Sequence, residues 1–163
     1  VIEVIDSVAA EGAFLQTGGY TPTEAWESLL ETGVDKKRGY LLITVCDGRK
    51  VVGFGRLSPD DMGERRSGNI GVVLLPEYRY KRIGTKLLEL IVNIAPEFGY
   101  ETLTADILVD NLASFRLFLG HGFAMYSSRN LYLKHRNAVA EEIRMQLSCM
   151  TVKEKYDVEL SND

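Results

Sequence analysis

Val72-Val73-Leu74-Leu75-Pro76-Glu77-Tyr78-Arg79-Tyr80-Lys81-Arg82-Ile83-Gly84-Thr85-Lys86-Leu87-Leu88 is the stretch whose reading decides the fold of this chain. An apolar run stops at a proline, and a short basic loop follows. Apolar residues then recur at Ile83, Leu87, Leu88, Leu90, Ile91 and Ile94, the spacing of a long helix. A helix start leaves backbone N–H groups unpaired and carries a partial positive charge, so a phosphate or pyrophosphate fits there. Gly84 would let an anion approach the backbone closely, and Lys81 and Arg82 would add charge-assisted contacts. Two cations in a first helical turn oppose the helix dipole, which a bound anion would offset. A solvated basic loop leading into a packing helix fits the same spacing, and spacing alone leaves the two readings even.

Working outward, Tyr40–Cys46 and Val51–Leu57 are two apolar runs joined through Asp47-Gly48, which predicts a hairpin. Asn69–Leu75 reads as a strand ended by Pro76, and Gly99 closes the long helix over Arg82–Phe98. Leu103–Val109 follows as a strand, Ala113–Leu119 as a short helix, and Phe123–Tyr126 and Leu131–Leu133 as two short strands. Towards the N-terminus, Val1–Ile5 reads as a short strand or its remnant and Ser7–Gln16 as a helix. Thr23 caps a second helix that Gly33 ends. Ser58–Ser67 is polar and reads as a loop. Val139, Ile143, Leu147 and Met150 fall at helical spacing and predict an amphipathic C-terminal helix, either covering the core or forming a homodimer contact. The last dozen residues are charged and expected to fray. The division expected is a domain over 1–136, then the helix and charged tail over 137–163.

The 163 residues suit one domain, 45% of them apolar and 26% charged, as in an ordinary globular protein. That length buries a sufficient core without disulfide or metal. The two cysteines are read apart, Cys46 as a small buried hydrophobe and Cys149 as a residue near the C-terminus, which suits a reduced, cytoplasmic setting. A net charge of −4 argues against general nucleic-acid binding. No apolar run reaches the roughly 18 to 20 residues that span a bilayer, so no membrane partner is expected. No signal-peptide pattern is seen, and the chain starts at Val1 rather than Met, which leaves open whether residues precede it.

The quoted stretch resembles the coenzyme A motif of the GNAT superfamily, in which Val-x-Pro-x-Tyr-Arg leads into Gln/Arg-x-x-Gly-x-Gly/Ala. The matching residues are Leu74, Pro76, Tyr78 and Arg79, then Arg79 through Gly84, with Arg82 standing where the first glycine of the second motif falls. Downstream, Asn111, Ser114, Leu117, Gly122 and Phe123 are similar to the family pattern Asn-x-x-Ala-x-x-Leu-Tyr-x-x-x-Gly-Phe. The resemblance covers about Tyr40 to Leu133. It implies an α/β (α+β) domain with a mixed, mostly antiparallel sheet splayed around the coenzyme arm and flanked by helices.

What the resemblance implies can be carried over residue by residue. Acetyl-CoA would be the cosubstrate and an unidentified primary amine the acceptor, with direct acetyl transfer in a ternary complex. The backbone of Val72, Val73 and Leu74 would pair with the pantetheine arm, and the Leu74 N–H would polarise the thioester carbonyl. Arg79, Tyr80, Lys81, Arg82, Ile83, Gly84 and Thr85 would hold the pyrophosphate. Asn111 would bond to the arm, beside its reading as a plain helix cap, with Ser114 and Phe118 completing the pocket. Asp106 matches the general base of ribosomal-protein N-terminal acetyltransferases, reaching the amine through water; as a bare residue it reads as a solvent-facing strand carboxylate. Phe118 stands where the family has a tyrosine that protonates the leaving thiolate. Arg82 and Phe118 together also suit a degenerate domain that binds acyl-CoA, or a protein partner, without turnover. A purely structural domain that binds no CoA is a third reading. Glu11 is read as an exposed helix carboxylate or a partner for a substrate ammonium, and Trp26 as core or acceptor-pocket lining. The acidic chain favours a cationic acceptor. No metal site is expected, since His121 and His135 lack ligand spacing.

Overall fold

A computed structural model describes residues 1–12, 14–60 and 66–149. Among these described residues, four α-helices, α1 (Ile2–Ala10), α2 (Glu24–Thr32), α3 (Ile83–Ile94) and α4 (Leu112–Gly120), flank one seven-stranded sheet. Its strands are β1 (Val34–Asp35), β2 (Tyr40–Asp47), β3 (Lys50–Pro59), β4 (Ser67–Leu74), β5 (Thr102–Leu108), β6 (Ala124–Leu133) and β7 (Ala138–Ser148). They lie in the order β1-β2-β3-β4-β5-β7-β6, every pairing antiparallel except β4 with β5. None of the described helices is long and apolar enough to cross a membrane.

The hairpin forms as expected, with Asp47 opposite Lys50 across the Asp-Gly turn. Thr23 accepts a hydrogen bond from the Trp26 N–H, and Gly33 closes α2 in the left-handed region at φ 69°. On one face of the sheet, Leu57, Ile70, Leu103, Ala105 and Met145 pack beneath Leu88 and Ile91 of α3. Gly55 permits that contact, because a Cβ there would lie 2.7 Å from the Ile91 Cδ1. On the other face, α1 presses Val4, Ile5 and Val8 against Val52, Phe54 and Leu75.

Four expectations are corrected. Residues 1–5 are not a strand: Val4, Ile5, Val8 and Ala9 are buried along α1 at helical spacing, a pattern too short to separate from β-branched run composition. The two short strands after α4 are one strand, β6, with a bulge between Met125 and Ser127. Cys46 is exposed rather than buried. The helix predicted over 137–163 is, over Ala138–Ser148, strand β7, inserted between β5 and β6. Spacings of four fit a helical period and a strand period alike. Met145, two residues from both Ile143 and Leu147 and fully buried, marks the period of two. Met150 and the charged tail, like residues 61–65 of the polar loop, lie outside the described residues.

The two periods make opposite predictions for β7. Met145→Ala should cost about 2–5 kcal/mol by denaturant unfolding, as for a buried Met. Val139→Ala, 66% exposed, should change stability by less than about 0.5 kcal/mol. The reverse ranking would restore the helix.

Candidate functional site

The sheet is not closed along its length. β4 pairs with β5 only through Ser67↔Thr102, Gly68↔Leu103 and Asn69↔Thr104, and beyond Asn69 the two strands part. β4 stays paired with β3 to its end, and Leu75 donates a backbone hydrogen bond to the Val52 carbonyl. In an antiparallel ladder amide groups alternate in direction. Leu75 and Val73 therefore point theirs at β3, whereas Val72 and Leu74 point theirs into the gap. Gly53 fixes the Leu74 end: a Cβ there would collide with the Leu74 side chain and lie 2.8 Å from the Val73 carbonyl.

Pro76 ends β4, and the chain turns back through residues 76–78 to Arg79. Arg79 holds that turn down. Its Nε donates to the Leu74 carbonyl at 3.1 Å, its Nη1 and Nη2 bind the Glu11 carboxylate at 2.8 and 2.5 Å, and its guanidinium lies over Phe14. Glu11 is thus half-buried in an ion pair rather than free for a substrate ammonium. Tyr80 and Arg82 both take left-handed backbone conformations, φ 59° and 61°. Arg82 is the N-cap of α3 and makes no side-chain cap bond, which leaves the first amides of α3 facing the gap. Gly84 stands in that first turn, where an added Cβ would touch Leu117, Leu74 and Val72 at 3.5 to 3.8 Å.

These elements enclose a cleft of about 530 Å³, a typical size for a small-molecule site. Of the residues singled out in the sequence, Val72, Val73, Leu74, Arg79, Tyr80, Arg82, Gly84, Thr85, Asn111 and Ser114 line it. Lys81 does not; its ammonium lies over the Tyr78 ring. Ile83 contributes no side chain to the lining. Phe118 corrects an expectation: it is 2% exposed and packs edge-to-face on Phe123 in the core, because α4 turns that position inward. Asn111 caps α4, its Oδ1 accepting from the Ser114 N–H at 3.1 Å.

The sequence reading missed Arg116 and Leu117 of α4, and Val8, Phe14 and Leu15 from the N-terminal segment, as lining residues. Arg116 had a legible signal, a lone cation five residues past Asn111 on a mostly apolar helix. The N-terminal residues had none, since only the fold brings α1 to the end of β4.

Asp106 lies outside the cleft lining, just past the point where the strands part. It is not solvent-facing. Oδ1 accepts from Arg144 Nε at 2.7 Å, and Oδ2 accepts from Arg144 Nη2 and Asn69 Nδ2, each at 2.9 Å. Arg144 also binds Asp60, and hydrogen bonding to Asp106 is the main cause that raises its guanidinium above the ordinary value. A carboxylate accepts about four hydrogen bonds, so one direction remains, on Oδ1.

Among the described residues, no group of three or more His, Cys, Asp and Glu side chains could hold a metal ion. The cleft instead offers outward backbone amides along a strand edge, a helix N-terminus with Arg82 and Arg116 beside it, and an apolar floor. This arrangement suits an elongated ligand with amide groups along one part and an anionic group at one end.

Comparison with known proteins agrees with that geometry. The sequence profile of the Acetyltransferase (GNAT) family matches residues 8–123. A protein from Salmonella typhimurium assigned as an acetyltransferase, solved with its cofactor acetyl-CoA, superposes with TM-score 0.77 at 20% identity, covering 91% of this chain and 86% of that one. A GNAT superfamily phosphinothricin acetyltransferase from Sinorhizobium meliloti, in complex with acetyl-CoA, gives 0.73 at 22% identity over 90% and 80%. The ribosomal-protein-alanine N-acetyltransferase from Brucella melitensis gives 0.73 at 23% over 88% and 90%. No curated protein sequence matches significantly. The chain, with its parted β4 and β5 and the uncapped start of α3, belongs to the GNAT acetyltransferase family.

Proposed function

We propose that this protein transfers the acetyl group of acetyl-CoA to a primary amine by direct attack in a ternary complex. The observation that carries the reading is the open edge of β4, with the Val72 and Leu74 amides directed into a cleft that ends at the bare N-terminus of α3. The relatives solved with acetyl-CoA share this fold, and the residues present suit that molecule. The amides of Val72 and Leu74 match the amide groups of a pantetheine arm. The first turn of α3 with Gly84, Thr85 and Arg82 suits a pyrophosphate. Bound acetyl-CoA supplies an activated thioester.

The Leu74 N–H would polarise the thioester carbonyl: its own carbonyl is taken by Arg79, and its amide has no backbone partner among the described residues. Asn111 keeps its amide group for the ligand while its oxygen caps α4. Asp106 would accept the amine proton through a water on the open direction of Oδ1, while Arg144 and Asn69 fix the carboxylate. Phe118 leaves the thiolate without a tyrosine donor, which a thiol of pKa about 8.5 tolerates near neutral pH.

Two substitutions test the reading. Gly84→Ala should fold normally, since its Cβ meets only ordinary contacts, yet weaken acetyl-CoA about tenfold by calorimetry, equivalent to about 1.4 kcal/mol. Gly84→Glu should abolish measurable binding, because like charges brought together cost several kcal/mol. Unchanged affinity in both variants would move the anion elsewhere.

Asp106→Asn should lower kcat about 10²- to 10⁴-fold while leaving the acetyl-CoA dissociation constant within a factor of two or so of its original value. An unchanged kcat would confine Asp106 to anchoring Asn69 and Arg144.

A further inference from the structure

Arg56 is the only partly buried arginine among the described residues with no carboxylate within ion-pair distance. Arg79, Arg136 and Arg144 each have one. Its side chain leaves β3 on the face that carries α1 and α2, and packs against the Trp26 ring, guanidinium carbon to ring centroid 5.8 Å. One hydrogen bond is made, from Nη2 to the Asn69 Oδ1 at 3.1 Å. Nε and Nη1 have no partner among the described residues, and neither is sealed from solvent. Burial pulls this guanidinium below its ordinary value, with Tyr40 and Asp106 opposing the shift.

The position of this cation gives it a use. Arg56 pairs across the sheet with Gly71 of β4, and a Cβ on Gly71 would sit only 3.8 Å from Nε and Nη2. Glycine there keeps a side chain off Nε and Nη2. Asn69, two residues before Gly71, marks the last pairing before the strands part. Leu74 is three residues beyond Gly71, about 10 Å along an extended strand. Arg56 is therefore within one small molecule's length of the amide assigned to the thioester, on the face opposite α3 and α4.

Within the network of Asp60, Asp106, Arg144 and Arg56, two carboxylates are balanced by two guanidinium groups only because Arg56 is present. Asp60 and Asp106 share Arg144, and Asn69 stands between Asp106 and Arg56. A guanidinium with two free donors complements a planar carboxylate. We propose that Arg56 binds the carboxylate of the acceptor, which is accordingly a small amine bearing a carboxylate: an amino acid or a close analogue. This rests on the acetyltransferase reading and narrows it. It also replaces the cationic acceptor that the acidic composition suggests.

The test pairs acceptors with and without the charge. The twenty L-amino acids, and the carboxamide of each one that binds, are titrated into the protein saturated with CoA and assayed for thiol release from acetyl-CoA. Arg56→Lys and Arg56→Gln are run alongside, with their melting temperatures. The expected result is a preference for carboxylate over carboxamide of about 10- to 100-fold, the scale of charge-assisted hydrogen bonds. Arg56→Gln should erase the preference through the KM of the carboxylate acceptor, and be partly rescued by Arg56→Lys. Turnover of amines with no carboxylate preference overturns the proposal and leaves acetyl transfer standing. Carboxylate-dependent binding lost in Arg56→Gln, without turnover of any amine, keeps the Arg56 site and overturns acetyl transfer. Neither binding nor turnover overturns both.

Discussion

A β-strand that loses its neighbour on one side must satisfy its outward amide and carbonyl groups some other way. Strand β4 meets this constraint beyond Asn69, where β5 leaves it. The Arg79 side chain reaches back to the Leu74 carbonyl, while the outward N–H groups of Val72 and Leu74 open on the cleft. Most of the surrounding structure keeps this gap in place. Gly53 and β3 hold the strand on its paired side. Asn69 ties the point of divergence to Thr104 and Asp106. The Glu11–Arg79 pair locks α1 across the end of β4.

The same gap joins two chemically different faces. Towards α3 and α4 it presents helix amides and cations, suited to an anion. Towards α1 and α2 it presents the network of Arg56, Asn69, Asp106, Arg144 and Asp60. A donor bound on one side and an acceptor on the other would meet at the strand edge, which is the geometry direct transfer requires. The left-handed conformation of Arg82 bears on the first face. A non-glycine residue there costs about 1–2 kcal/mol, which accounts for a glycine at the corresponding position of the family motif. The structure bears that cost at the mouth of the cleft, where strain of this kind tends to gather.

Much of this was legible in the residues. Pro76, the basic loop, Gly84 and the apolar period of α3 place an anion site at a strand-to-helix junction, and Asp47-Gly48 places the hairpin. What stayed hidden has identifiable causes. The intervals among Val139, Ile143 and Leu147 are multiples of two as well as close to a helical turn, so a strand passed for a helix until Met145 was seen buried. Phe118 matched a pocket position by motif, yet its ring faces Phe123. The partners of Asp106 and Arg56 lie on other strands, at separations that no local pattern encodes.

The central claim is that the exposed amides of β4 and the start of α3 receive acetyl-CoA. Amide hydrogen exchange measured with and without saturating acetyl-CoA tests it most directly. The account predicts that Val72, Leu74, Gly84 and Thr85 exchange more slowly in the complex, while Val73 and Leu75, already turned to β3, change little. Protection confined to other residues, or none at these four despite saturation, would contradict it.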